Sequence, residues 1–174
     1  MKTRIFWLNE NLGIMSRPLG GDDLMREIEH WKKLKVDTIV SFLTDEENEE
    51  LGLEYERMDC RREGFDFLKF PIEDLQVPDS YLKTRDLVNN LVDKIKENKK
   101  ILMHCRGGIG RVSIIAASVL STLHNASLKQ SFEDISKIRG VKVPDTDEQI
   151  DWTIEFLSKM KQQKNTPKSS WLNE

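Results

Sequence analysis

Cysteine is scarce in this chain: only Cys60 and Cys105 among 174 residues. Two thiols make neither a disulfide framework nor a zinc-site spacing. Histidine is nearly as rare, and His30, His104 and His124 do not cluster, so no metal centre or other cofactor is expected. No apolar run is long enough to cross a bilayer. The opening Met1-Lys2-Thr3-Arg4-Ile5-Phe6-Trp7 is too short and too soon polar for a signal peptide, so a cytoplasmic location is the default. Without a secretory route the sequon Asn125-Ala126-Ser127 carries little weight. A formal charge of −3 supplies no global basic field, and nucleic acid is not an expected partner. Internal repeats and long linkers are missing too.

What is there fits one soluble domain, with 38% hydrophobic and 33% charged residues and enough chain to bury a core. We assign residues 1–160 to that domain. Residues 161–174 lose apolar periodicity and read as a loosely ordered tail, with Trp171 available to dock. Nothing in the residues speaks to oligomeric state.

Residues 36–43 are β-branched and nearly continuous, which suits a buried strand. Thr44-Asp45-Glu46-Glu47 offers a capping box for a short helix ending near Gly52. Residues 65–72 read as a second strand. Leu87, Val88, Leu91, Val92 and Ile95 recur at helical spacing, so residues 80–98 form an amphipathic helix. Ile101-Leu102-Met103 is a short strand that leads into a glycine-rich loop. Beyond the loop, Ile114, Ile115, Ala116, Ala117, Val119, Leu120 and Leu123 leave almost no polar face, and that helix should be central. Two more helices follow, the first with Ser127 and Gln130 in capping-box positions; another, marked by Leu24, Ile28 and Trp31, precedes the first strand. The alternation predicts an α/β fold with a small, mostly parallel central sheet flanked by helices. Ligands bind beyond the carboxyl ends of strands in such sheets. The loop occupies one such end.

That loop reads His104-Cys105-Arg106-Gly107-Gly108-Ile109-Gly110-Arg111. Its glycines let the backbone curl so that successive N–H groups point inward as an anion-binding nest. The helix that follows adds its N-terminal dipole. A cysteine in that field should ionise readily, with a pKa of roughly 3.5–7.5. Its thiolate would attack the phosphorus of a phosphate held by the amides of Gly107, Gly108, Ile109 and Gly110, while Arg111 clamps two oxygens. A buried structural cysteine would not need this company of glycines and arginine. A nucleotide-binding loop would end in Gly-Lys-Ser/Thr, which is absent.

His104-Cys105-x5-Arg111 matches the signature of the protein tyrosine phosphatase superfamily, and His-Cys-x-Gly-Gly-x-Gly-Arg looks most like its kinase-associated, dual-specificity type. Residues 21–53 also resemble the N-terminal half of that group, and the likeness spans about residues 6–159. The resemblance implies the protein tyrosine phosphatase-like fold, a phosphocysteine intermediate, no cofactor and a phosphorylated protein as substrate. Phosphotyrosine is the first choice, with phosphoserine and phosphothreonine as possible additions. It assigns Asp74, in Pro71-Ile72-Glu73-Asp74, as the acid for the leaving oxygen and the base for the attacking water. Asp79 competes, although Asp79 or Ser80 has a capping task ready. His104 would help hold the loop. Gln149 resembles the glutamine that orients the hydrolytic water, yet Thr146 and Gln149 also have capping-box spacing.

Two residues set this chain apart. After the signature arginine the family carries Ser or Thr, whose hydroxyl donates to the cysteine sulfur; here stands Val112. Ser113, about 100° round the helix, is badly placed to replace it. Slower breakdown of the phosphocysteine is the expectation, with phosphate capture intact. Arg106 puts a second cation at the rim, either as a solvated residue or to favour phosphoinositides and other highly charged esters. A weakly active phosphate-binding adaptor is the non-enzymatic alternative. Nothing in the spacing supports a disulfide between Cys60 and Cys105.

Overall fold

The computed structural model describes residues 2–165, with side chains through residue 163. Among these, strands β1 (Ile5–Trp7), β2 (Leu12–Met15), β3 (Thr38–Ser41), β4 (Asp66–Lys69) and β5 (Ile101–His104) form one sheet in the order β1-β2-β5-β3-β4. Only β1 runs antiparallel to its neighbour. The helices are α1 (Leu24–Lys33), α2 (Asp45–Leu51), α3 (Glu56–Arg62), α4 (Tyr81–Lys96), α5 (Arg111–His124), α6 (Leu128–Arg139) and α7 (Asp147–Asn165). A mostly parallel sheet between helices is thus the observed architecture.

Strand β5 lies at the centre because all four of its residues are apolar or neutralised by pairing, and all are buried. Its side chains alternate between two cores. Ile101 and Met103 face the larger one, with Leu91, Ile115 and Phe156, whereas Leu102 faces Ile28, Trp31 and Phe67. The alternation persists past the strand end, so His104 turns toward α3 and Cys105 toward the α5 side. The parallel register aligns Met15, His104 and Ser41 across neighbouring strands, and Ser41 with Lys69. The loop after β5 therefore opens in the middle of the carboxyl edge.

Helix α5 is buried from Arg111 to Val119 and contacts α4, α6, α7 and β2, as its unbroken apolar run implies. Thr44 caps α2 with a complete capping box, and Ser80 caps α4. Ser127 caps α6, but the Gln130 amide bonds Asp134 instead of completing the box.

The structure adds the β1–β2 hairpin and helix α3 to the elements expected from the sequence. The hairpin closes over residues 8–11, where Asn9 accepts from the Asn11 N–H at 2.8 Å. Gly13 lets Trp7 lie against β2; a Cβ there would meet the Trp7 ring at 2.9 Å. Helix α7 continues through Asn165, so residues 161–165 are helical. Trp171 and the rest of the expected tail lie outside the described residues.

Candidate active site

Residues 104–111 join β5 to α5, and tertiary contacts hold the loop from outside. Gly108 has a φ of +68°, and a Cβ would come within 2.6 Å of the Met15 and Ser16 backbone, so a side chain is excluded on two counts. Arg139, on α6, donates from Nε to the Gly108 carbonyl and from Nη2 to the Gly107 carbonyl, both at 2.9 Å. Its guanidinium lies 4.3 Å from the centre of the Phe6 ring. Arg17 N–H donates to the Arg106 carbonyl at 3.1 Å. With its carbonyls engaged outside, the loop presents N–H groups inward.

Cys105 lies at the bottom, 2% exposed. Gly108 N–H points at its Sγ at 3.3 Å. Burial pushes the thiol up from its ordinary value, against the pull of the Val112 N–H, the Arg111 charge and the N–H groups of Gly108 and Ile109. The groups that stabilise a thiolate, three N–H donors and the Arg111 charge, are all in place around the sulfur.

Arg111 explains part of this balance, since its charge is already shared. Its guanidinium makes a two-pronged pair with Glu47, at 2.7 and 2.9 Å. It also donates to the Ile72 carbonyl at 2.8 Å and to Asp74 Oδ1 at 3.0 Å. Burial works against ionisation of Glu47, but Arg111, the Thr44 N–H and Arg106 together hold its carboxyl below the ordinary value. Sequence reasoning saw Glu47 only as the capping-box partner of Thr44. In the fold one carboxylate does both tasks.

Asp74 sits on the stretch between β4 and α4, half exposed, and its Oδ1 also accepts from the Leu75 N–H at 3.1 Å. Of Asp74 and its competitor Asp79, it is Asp74 that contacts Arg111. The α4 cap falls to Ser80, which accepts from the Lys83 N–H. Arg106 reaches the rim but is held by both carboxylate oxygens of Glu50, at 2.9 and 2.8 Å.

Gln149 is buried, and both ends of its amide make hydrogen bonds. Its Oε1 accepts from the N–H groups of Asp145 and Thr146, and Thr146 Oγ1 accepts from the Gln149 N–H, which makes the capping box. Its Nε2 donates to the Gln76 carbonyl at 3.1 Å, tying the α7 entry to the Asp74 stretch. Asp145 was missed by sequence reasoning. Its Oδ2 packs so close to Gly110 that a Cβ there would lie 2.2 Å away. Burial and the nearby charge of Asp74 push its carboxyl above the ordinary value, against the pull of Arg111 and the Gly110 N–H.

His104 is buried behind the loop and pairs through Nε2 with Glu56 Oε1 at 2.8 Å, across from α3. Val112 offers the sulfur only a backbone N–H, and Ser113 Oγ is buried without a hydrogen-bond partner. Cys60 belongs to the core on the opposite face of the sheet from Cys105, and burial pushes its thiol up. Among the described residues no group of three or more His, Cys, Asp or Glu could hold a metal ion, and no helix is long and apolar enough to cross a membrane.

Known proteins resemble this chain to different extents. Rattus norvegicus "Cyclin-dependent kinase inhibitor 3" is 32% identical over 76 residues, 43% of this chain and 36% of that protein. "Putative tyrosine phosphatase 197R" of Invertebrate iridescent virus 6 is 31% identical over 71 residues, 39% of this chain and 27% of that protein. The chain thus spans well under two thirds of either relative. Kinase associated phosphatase (KAP), solved with serine replacing its catalytic-site cysteine, shares the fold with a TM-score of 0.84 at 23% identity, over 92% of this chain and 97% of that one. Tk-PTP in its active form gives 0.75 at 21% identity, over 88% and 96%. A family model described as "Polymorphic toxin system, DSP-PTPase phosphatase" matches residues 15–124, more than half the chain, including the strand, loop and helix around Cys105 and Arg111. The chain therefore belongs to the DSP-PTPase phosphatase family of polymorphic toxin systems.

Proposed function

We propose that this protein hydrolyses phosphomonoesters of phosphotyrosine, and of phosphoserine or phosphothreonine, in protein substrates through a phosphocysteine. The observation that carries this reading is the convergence of three groups from two separate stretches: the Cys105 sulfur among inward N–H groups and Arg111 from one loop, and Asp74, from another, on Arg111. In the first step the Cys105 thiolate attacks phosphorus, and the bond to the ester oxygen breaks. Asp74 protonates that oxygen as it leaves. The loop amides and Arg111 stabilise the charge on the equatorial oxygens, an electrostatic effect that grows in a water-poor pocket. Water then releases inorganic phosphate from sulfur. All the reacting groups come from the chain itself, so the mechanism calls for no cofactor.

A phosphoinositide or a small, highly charged ester is the second reading, because Arg106 stands at the rim. Its two-pronged pair with Glu50 argues against that, since the cation is already compensated. An adaptor that binds phosphate without turnover is disfavoured by the intact Cys105, Arg111 and Asp74. A panel of phosphotyrosine, phosphoserine and phosphothreonine peptides beside phosphoinositides separates the three. The proposal expects release from the peptides, lost in Cys105→Ser; preference for the lipids, or oxyanion binding without turnover, would overturn it.

A further inference from the structure

Two carboxylates, not one, reach the Arg111 side of the loop. Asp74 arrives from the β4–α4 stretch and is engaged by two donors, Arg111 Nη2 and the Leu75 N–H. Asp145 arrives from the α6–α7 stretch and lies against Gly110, the last loop residue before α5. Its stretch is anchored on both sides, by the Val143 N–H on Ser136 Oγ at 3.0 Å and the Asp145 N–H on Gln149 Oε1 at 3.0 Å. Gln149 also binds the Gln76 carbonyl, so the two carboxylate-bearing stretches are joined by one side chain.

We propose, on the reading that Cys105 forms a phosphocysteine, that Asp145 is the base that takes the proton from the water which hydrolyses it. Water oxygen bonds to phosphorus, one water proton passes to the Asp145 carboxylate, and the P–S bond breaks with its electron pair returning to Cys105 as thiolate. Inorganic phosphate leaves, and Asp145 gives its proton to solvent. Three observations favour Asp145 over Asp74 for this step. Asp74 has its Oδ1 engaged by two donors, one of them Arg111, the residue that clamps the phosphate. Asp145 lies directly against Gly110, the last loop residue before Arg111, and burial and the charge of Asp74 raise its carboxyl from the ordinary value. And the sulfur lacks a hydroxyl donor at Val112, so it is a poorer leaving group and needs a better-activated water. The division leaves Asp74 as the acid of the first step.

Rapid-quench measurements with an aryl phosphate test this on the whole chain, comparing wild type, Asp145→Asn, Asp145→Glu, Asp74→Asn and Cys105→Ser. For Asp145→Asn the expected result is a burst of aryl alcohol near one per site, then a steady rate about 10²-fold below wild type, with phosphocysteine accumulating by mass. Asp145→Glu should recover part of the steady rate; Asp74→Asn should slow the burst itself. An unchanged melting temperature for Asp145→Asn separates this from damage to the fold. If Asp145→Asn matches wild type in both phases, or loses burst and steady rate together, the Asp145 role is overturned while the cysteine reading stands. Turnover by Cys105→Ser would instead remove the phosphocysteine reading, and the Asp145 role with it.

Discussion

Glu47 grips the Arg111 guanidinium with both carboxylate oxygens, and the pair is buried beside the Cys105 loop. The same carboxylate accepts from the Thr44 N–H, so the start of α2 and the orientation of Arg111 depend on one side chain. Without Glu47, Arg111 is a buried cation with only the Ile72 carbonyl and Asp74 to hold it.

Glu47→Ala should cost about 3 kcal/mol of stability, the scale for removing one partner of a buried pair. The Glu47 carboxyl is held below its ordinary value, so on acidification the unfolded chain takes up its proton first. Its contribution is complete above the ordinary glutamate value of about 4.3 and is lost as pH falls through the folded value. Urea unfolding of wild type and Glu47→Gln at pH 7 and in acid should show a gap that narrows in acid. A constant gap would mean the charge is not what the pair contributes.

Arg139 holds the loop by the carbonyls of Gly107 and Gly108. Arg139→Lys cannot make both bonds, so kcat should fall about tenfold, given roughly 1.5 kcal/mol for a charged hydrogen bond. Orthophosphate inhibition should weaken in parallel, because the same amides bind it. Normal kcat with weaker folding would make Arg139 a structural residue alone.

Gly107 and Gly108 should behave oppositely. Gly107→Ala places a methyl with only Ile109 within 4 Å, whereas Gly108→Ala drives one into the Met15 backbone at positive φ. Thermal unfolding should show a change within about 0.5 kcal/mol for the first and a loss of at least about 2 kcal/mol for the second.

Val112→Thr restores a hydroxyl near the sulfur with little change in volume. The rate of phosphocysteine breakdown should rise several-fold while its formation is unchanged, read by single-turnover kinetics. Equal breakdown rates would show that the Val112 N–H already suffices.

The residues explain which of these features could be read beforehand. Cys105, Arg111 and Asp74 sit in local patterns whose chemistry is visible in a few consecutive letters, and α5 announces itself by an unbroken apolar run. The β1–β2 hairpin does not, because Ile5–Trp7 is three residues long and Leu12–Met15 carries a glycine and a single β-branched residue. Helix α3 hides for another reason: its buried residues are Glu56 and Cys60, so no apolar stripe marks it. Its burial depends on His104, which lies 48 residues away. Glu47, Arg139 and Asp145 likewise act on residues 64, 31 and about 35 positions away. Such long-range pairings have no local signature. The depth at which Cys105 is buried has no local signature either, since it is a property of the packed fold.

The most direct test of the account is phosphate release from an aryl phosphate, followed over time for wild type and Cys105→Ser at matched concentration. The account predicts turnover by wild type, with a phosphorylated Cys105 trapped on rapid acid quench, and none by Cys105→Ser. Equal turnover by the two chains, or wild-type turnover with label on a residue other than Cys105, would contradict it.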